Sequence, residues 1–167
     1  MYYICNFFEK MISLFRMVIK IFYWKLKYGK RLKLGKNIKF RNRFKINIQK
    51  KGYVEIGDNC FFNNDCSINC HKKIIIGKDN IFGESVKIYD HNHIFNNRNI
   101  SLKNNFTSKD IIIGESNWIG TGCVLLSKTT IGNNNVIGSN VVVNEKIENE
   151  NVIRVKPNLD KIKINYK

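Results

Sequence analysis

Three copies of one six-residue unit stand close together in the second half of the chain: IGESNW at residues 113–118, IGNNNV at 131–136 and IGSNVV at 137–142. Two earlier copies, IGDNCF at 56–61 and IGKDNI at 76–81, share the same opening. A unit that begins with an aliphatic residue and glycine and recurs at a fixed period indicates a repeat protein.

The first position of this unit is apolar in every copy that can be placed. If each position were drawn at the chain's apolar fraction of 43%, a run of fifteen would arise on the order of once in a few hundred thousand sequences. The fifteen positions are Leu34, Phe40, Ile46, Ile56, Phe62, Ile68, Ile76, Phe82, Ile88, Ile113, Ile119, Leu125, Ile131, Ile137 and Val143.

Three units make one triangular coil, in which each short strand points one aliphatic side chain inward. Successive coils stack through parallel backbone hydrogen bonds, and glycine suits the tight corners between faces. Cysteines in the fifth position of the unit, a slot for small side chains, have a packing explanation and no assigned chemistry. The predicted coils cover residues 34–51, 56–73, 76–93, 113–130 and 131–148.

The chain divides into three parts on this pattern. Residues 1–30 are predicted to be a helical segment, 31–155 the repeat domain with an extrusion at 94–112, and 156–167 a tail. Within 2–27, apolar residues recur at helical spacing in one stripe that includes Phe7, Met11, Phe15 and Phe22. The helix carries too many charges to span a bilayer. We expect it to pack on its own domain or on a neighbouring subunit, with a peripheral membrane contact as the alternative.

Charge and cysteine content limit the functional classes. The formal charge is +16 in 167 residues, but the lysines are dispersed and no nucleic-acid-binding motif accompanies them, so we predict no nucleic-acid partner. The five cysteines are odd in number, irregularly spaced and without a secretory signal peptide. This pattern predicts a cytoplasmic protein. Any membrane contact of the helix is expected at the inner face of the membrane.

The repeat also predicts where chemistry can occur. A prism filled with aliphatic side chains has no internal pocket, so a site must lie outside it. The periodicity breaks after Ile88-Tyr89-Asp90-His91-Asn92-His93 and resumes at Ile113. A long polar extrusion in a regular coil is typically functional, and His93 stands at its base.

The residues 88–93, the extrusion and the later Trp118-Ile119-Gly120-Thr121-Gly122 resemble the hexapeptide-repeat O-acetyltransferases, including the maltose, galactoside and surface-polysaccharide acetyltransferases. The resemblance implies an all-β fold, a left-handed parallel β-helix, with acetyl-CoA as acyl donor and a homotrimer whose site lies between subunits. It implies that His93 is the general base, because the family's histidine lies five residues after the inward aliphatic.

The resemblance also assigns binding residues. Trp118 and the backbone N–H groups of Thr121 and Ser139 are expected to hold the pantetheine arm. The acceptor is expected to contact Asn63 or Asp65, Asp90, and Arg98 of the extrusion. The chain departs from the family pattern at Asn144-Glu145, so the phosphates of CoA are expected to meet Lys146, Arg154 and Lys156.

The implied mechanism needs no enzyme nucleophile and no metal, because a thioester is already activated. It requires a base that takes the proton of an attacking hydroxyl at neutral pH, a role suited to histidine. The acceptor is expected to be a sugar or a precursor of a surface polysaccharide. Two alternatives stay open: a zinc-dependent β-helix similar to carbonic anhydrase, since the chain has three histidines, and a scaffold without activity. Against zinc, His91 and His93 are expected to project in different directions.

Overall fold

The computed structural model describes residues 2–94 and 105–155 of the chain. It begins with helix α1 (Tyr2–Tyr28), which continues into a short 3₁₀ helix (Gly29–Arg31). Lys25 and Lys27 lie in the last turn of α1, where positive charge complements the helix dipole. Among the described residues, no helix is both long and apolar enough to cross a membrane.

Helix α1 meets the repeat domain through four apolar side chains spaced at helical intervals: Met17, Ile21, Trp24 and Tyr28. Trp24 packs on the rings of Phe40 and Phe44, with ring centroids 5.2 and 5.6 Å away. The Tyr28 hydroxyl donates a hydrogen bond of 2.8 Å to the carbonyl of Ile46. The second half of α1 thereby closes the first coil and keeps water from the end of the core.

The predicted apolar stripe is not the face that packs on the domain. Phe7, Met11, Phe15 and Phe22 are all more than half exposed. The helix has two apolar faces, and the spacing rule alone does not tell which one meets the body of the protein.

Short strands follow one another in six coils, with one hairpin inserted after the third coil. In chain order they are β1 (Leu32–Leu34), β2 (Lys39–Phe40), β3 (Lys45–Ile48), β4 (Tyr53–Ile56), β5 (Phe61–Phe62), β6 (Ser67–Cys70), β7 (Lys73–Ile76), β8 (Ile81–Phe82), β9 (Lys87–Tyr89), β10 (His91–His93), β11 (Phe106–Ser108), β12 (Ile111–Ile113), β13 (Trp118–Ile119), β14 (Val124–Leu125), β15 (Thr130–Ile131), β16 (Val136–Ile137), β17 (Val142–Val143), β18 (Lys146–Ile147) and β19 (Val152–Ile153).

The strands form three parallel sheets, one for each face of the coil. Sheet A has the order β1-β4-β7-β12-β15-β18, sheet B the order β2-β5-β8-β13-β16-β19, and sheet C the order β3-β6-β9-β14-β17. Equivalent strands of successive coils pair directly, as Ile56 does with Ile76 and Ile113 with Ile131. The structure confirms the predicted parallel β-helix.

The predicted inward positions form the core. Fourteen of the fifteen first-position residues are buried, and Leu34 is partly buried against them. The repeat becomes shorter after Val143, as the pairing of Ile147 with Ile131 shows. The predicted coil 131–148 is therefore too long: the structure closes it two residues earlier and adds a sixth coil that ends in β19.

Asparagine side chains fill the corner between sheets A and B in the later coils. Asn80, Asn117 and Asn135 are buried. The side-chain oxygens of Asn80 and Asn117 accept the backbone N–H groups of Asn117 and Asn135, at 2.9 and 2.8 Å. The Asn117 amide also donates to the Gly132 carbonyl at 2.9 Å. This ladder pairs polar backbone groups that the tight corner would otherwise bury without partners.

Candidate active site

The coil is interrupted by an antiparallel hairpin made of β10 and β11. Its cross-strand pairs are His91 with Ser108, Asn92 with Thr107, and His93 with Phe106. Regular coil resumes at β12, which pairs with β7 as if nothing intervened. The excursion thus runs from His91 to Asp110, a few residues earlier than the predicted extrusion.

Asp90 anchors the point where the hairpin leaves the coil. Its carboxylate is completely buried and accepts the backbone N–H groups of His71, Lys72 and Lys73 at 2.8, 2.7 and 3.0 Å. Hydrogen bonds of this kind compensate a buried negative charge. In this arrangement the carboxylate faces the preceding coil and is not presented on the outer surface.

Three histidines gather around one phenylalanine at the base of the hairpin. The rings of His71, His91 and His93 lie 4.6, 5.4 and 4.5 Å from the ring of Phe106, centroid to centroid. His91 and His93 are two residues apart in a strand, so they point to the same face. The expectation that they project in different directions was therefore wrong, because the chain enters a new strand at His91.

His91 is held by two close contacts. Its Nδ1 lies 3.2 Å from Oδ1 of Asp90, and its ring stacks on that of His71 with centroids 3.6 Å apart. Burial, and next the neighbouring His91, lower the pKa of His71. His93 is exposed at the outer end of β10. Among residues 2–94 and 105–155, no group of three His, Cys, Asp or Glu side chains is placed to hold a metal ion.

A cleft of about 360 Å³ opens beside the hairpin, on the side opposite the histidines. It lies against the corner between sheets C and A, where the Ser127 hydroxyl accepts the backbone N–H of Lys109 at 3.0 Å. Its lining is mostly polar: Asn92, Thr107, Lys109, Leu126, Ser127, Lys128 and Asn144. This cleft could not be predicted from the sequence, because a break in periodicity does not show which way the hairpin folds.

The two predicted acceptor residues of the preceding coil lie at the corner between sheets B and C. Asp65 forms a two-point ion pair with Arg43, at 2.5 and 2.6 Å, and the guanidinium lowers the pKa of that carboxyl. The Asn63 side-chain oxygen accepts the N–H of Asn64 at 2.8 Å. Asp65 also lines an outer groove of about 430 Å³ on sheet C that extends to Tyr89, just before the hairpin.

The predicted donor-binding residues lie mainly along one edge of the coil. Trp118 is 56% exposed on sheet B, and Thr121 and Ser139 follow at the corner between sheets B and C. Within the described part of the chain, no backbone carbonyl accepts the N–H groups of these two residues. Arg154 lies next to Gly138, the residue that precedes Ser139: a β-carbon added to Gly138 would be 3.4 Å from the β-carbon of Arg154.

The remaining predicted residues are elsewhere. Lys146 is on sheet A, paired with Glu148 at 2.7 Å, and so is separated from the edge that carries Thr121 and Ser139. Arg98 and Lys156 lie outside the described residues.

The histidines and the donor edge occupy different corners of the triangular coil. The hairpin leaves after β9, at the corner between sheets C and A, whereas Thr121 and Ser139 stand between sheets B and C. Sheet C separates the two corners in one chain.

Comparison with known proteins gives the class of the fold. The family model described as bacterial transferase hexapeptide (six repeats) matches residues 110–145. The candidate lipopolysaccharide biosynthesis O-acetyl transferase WbbJ of Escherichia coli K12 is 28% identical over 134 residues, covering 75% of this chain and 68% of its own length.

Two solved structures have similar folds. A hexapeptide-repeat acetyltransferase of Vibrio cholerae, in complex with acetyl coenzyme A, matches with a TM-score of 0.63 and 26% identity over 71% of this chain and 63% of its own. A maltose O-acetyltransferase of Clostridium difficile 630 matches with a TM-score of 0.59 and 28% identity over 70% and 62%. The chain thus spans less than two thirds of the length of these two enzymes.

The coil and its inserted hairpin define a hexapeptide-repeat protein. The chain is similar in fold and sequence to hexapeptide-repeat acetyltransferases, and its residues 110–145 match the hexapeptide transferase repeat.

Proposed function

We propose that the chain is an acetyl-CoA-dependent O-acetyltransferase that modifies a hydroxyl of a sugar or of a surface-polysaccharide precursor. The observation that carries this proposal is the hairpin, which places His91 and His93 on one face at the only break in the described coil. The solved structures with a similar fold include one in complex with acetyl coenzyme A and one named as a maltose O-acetyltransferase, and the Escherichia coli relative is named for O-acetylation.

The donor edge fits the acyl donor. Acetyl-CoA supplies an activated thioester, so the protein has to hold it and to stabilise charge that develops on its carbonyl oxygen. The backbone N–H groups of Thr121 and Ser139 are available for hydrogen bonds, and the exposed Trp118 offers an apolar surface beside them. Arg154, at the same edge, can meet phosphate oxygens.

The chemical step needs one base. The acceptor oxygen attacks the thioester carbonyl while an imidazole takes the hydroxyl proton, and the same imidazole returns that proton to the departing thiolate. We assign this role to His93, which is exposed at the outer end of β10. His91 is the alternative, because the contact between its Nδ1 and Asp90 resembles the base–carboxylate pairs of other enzymes.

The site is proposed to form between subunits of a trimer. The separation of the two corners supports this arrangement, since one copy can supply the hairpin and its neighbour the donor edge. In such a site, we expect the groove on sheet C that Asp65 and Tyr89 line to contact the acceptor.

The test is release of free CoA from acetyl-CoA across a panel of sugars and nucleotide sugars. With an accepted substrate, His93→Asn should lower turnover by roughly 10²- to 10⁴-fold, the usual contribution of a positioned base, while affinity for acetyl-CoA stays unchanged. The matched control is His91→Asn, which removes an imidazole from the same face two residues away and should leave substantial activity.

The reverse result, with an inactive His91 variant and an active His93 variant, would transfer the base to His91. Loss of wild-type activity on addition of a chelator would favour the zinc-dependent alternative. If no acceptor of the panel releases CoA and calorimetry detects no binding of acetyl-CoA, the scaffold alternative replaces the enzyme.

A further inference from the structure

Helix α1 carries a second apolar face that the repeat domain leaves uncovered. Each core-facing residue from Met17 to Tyr28 is preceded, two positions earlier, by an exposed apolar residue: Phe15, Ile19, Phe22 and Leu26. Positions two apart on an α-helix point about 200° away from each other. The outer face is therefore nearly opposite the face that packs on the coil.

This outer face is long and continuous. Phe15 is 67% exposed, Phe22 63% and Leu26 71%. Towards the N-terminus the face forms an apolar groove of about 450 Å³ lined by Phe8, Met11, Ile12, Phe15, Arg16 and Ile19. An uncovered patch of this kind on a folded domain marks a surface that meets a partner.

The charge of the chain identifies the kind of partner. Residues 2–28 contain five Lys and Arg against one Glu, and the whole chain has a net charge of +16. Arg16 and Lys27 lie along one edge of the apolar face and Lys25 near the other, by the 100° step of the helix. These basic edges attract an anionic surface, whereas the same face of a second copy carries the same positive edges and does not complement them.

We propose that the outer face of α1 binds the surface of an anionic lipid bilayer. The helix lies in the plane of the interface, with Phe15, Phe22 and their neighbours among the acyl chains and the basic edges at the headgroups. The side chains of Met17, Ile21, Trp24 and Tyr28 stay on the coil, so the domain is held at the membrane by a helix that is already folded against it. This proposal does not depend on the chemical activity.

Vesicle flotation with the full chain tests the proposal. The protein should float with vesicles of phosphatidylcholine and phosphatidylglycerol and bind much more weakly to phosphatidylcholine alone. The double variant Phe15→Ser/Phe22→Ser keeps every charge and every core contact. Its partitioning onto anionic vesicles should fall at least about tenfold, because two aromatic side chains that would insert into the bilayer are removed. The matched control Val142→Ser/Val152→Ser removes two exposed apolar side chains of the coil and should float as the wild type does.

Three results would overturn the proposal. One is failure of the wild type to bind the anionic vesicles, and another is equal binding to neutral vesicles. The third is unchanged flotation of the helix variant, which would mean that the basic surface as a whole is responsible. If the wild type does not float and the helix variant changes the mass of the assembly in light scattering, the face belongs to a second copy of the chain.

Discussion

The described cysteines show how a single residue type is used in this coil. Cys60, Cys66 and Cys123 are buried in the fifth position of their repeats, and their thiols lie 3.1, 3.0 and 2.9 Å from the carbonyl oxygens of Gly77, Gly83 and Gly138. Burial raises the pKa of Cys66 to about 11. Burial and the nearby Asp90 carboxylate raise the pKa of Cys70. These thiols are structural, as the repeat pattern predicted for the first three.

We therefore expect the four cysteines to resist thiol reagents while the protein is folded. In a Cys5→Ser background, dithionitrobenzoate at pH 8 should titrate none of them in native conditions and all of them in denaturant, because the reactive thiolate is suppressed by burial. Rapid labelling of the native protein would contradict this, and mass spectrometry would identify the thiol responsible.

The histidines mark the limit of prediction at the residue scale. The break in the repeat located His91 and His93, since an apolar period that stops can be seen in the sequence. Their common direction could not be predicted, because it follows from a change of strand at His91 and from the pairing with Phe106, a residue beyond the extrusion's midpoint. The periodicity does not indicate the role of Asp90, because that role is to accept hydrogen bonds from three backbone N–H groups of the preceding coil.

At the scale of elements, the asparagine ladder stabilises the corner between sheets A and B. Replacing Asn117 by Ala leaves the buried N–H of Asn135 without its acceptor, and should lower the free energy of unfolding by roughly 1–3 kcal/mol. Urea denaturation measures this difference.

The control is Asn133→Ala. The Asn133 side-chain oxygen also accepts a backbone N–H, that of Glu115 at 2.7 Å, but at an exposed position, where water replaces the lost partner. The cost at this position should be clearly smaller. Equal losses for the two variants would mean that the buried ladder has no special role.

The apolar columns were predictable and the ladder was not. The aliphatic first positions stand out from the rest of the sequence, whereas asparagine is common throughout this chain and a single one carries no signal. The signal was the recurrence of asparagine in the fifth position at 80, 117 and 135. The shortened fifth coil was missed for a related reason: the repeat can be followed only while its length stays constant.

For the whole molecule, the proposed site predicts an assembly. Light scattering at micromolar concentration should give about three times the chain mass of 19.6 kDa, because neither corner of one coil contains both the hairpin and the donor edge. A stable monomer that retains activity would show that a single chain completes the site.

Helix α1 shows why the arrangement of large parts is hard to predict. A helix with apolar residues on both sides satisfies the spacing rule twice, and only the packing of Trp24 on Phe40 and Phe44 selects the face that meets the coil. The wider of the two stripes was the more visible in the sequence and is the one that remains outside.

The direct pairing of Ile76 with Ile113 has a consequence for how such proteins diversify. The coil continues across the hairpin, because β12 pairs in register with β7 although residues 90–110 stand between β9 and β12. The part of the excursion that follows His93, residues 94–110, can then be exchanged as a unit while His91 and His93 keep their places, and under the proposed function such exchanges would change acceptor preference. Grafting the corresponding segment of a relative should therefore be a more direct route to a new substrate range than substitutions within the prism.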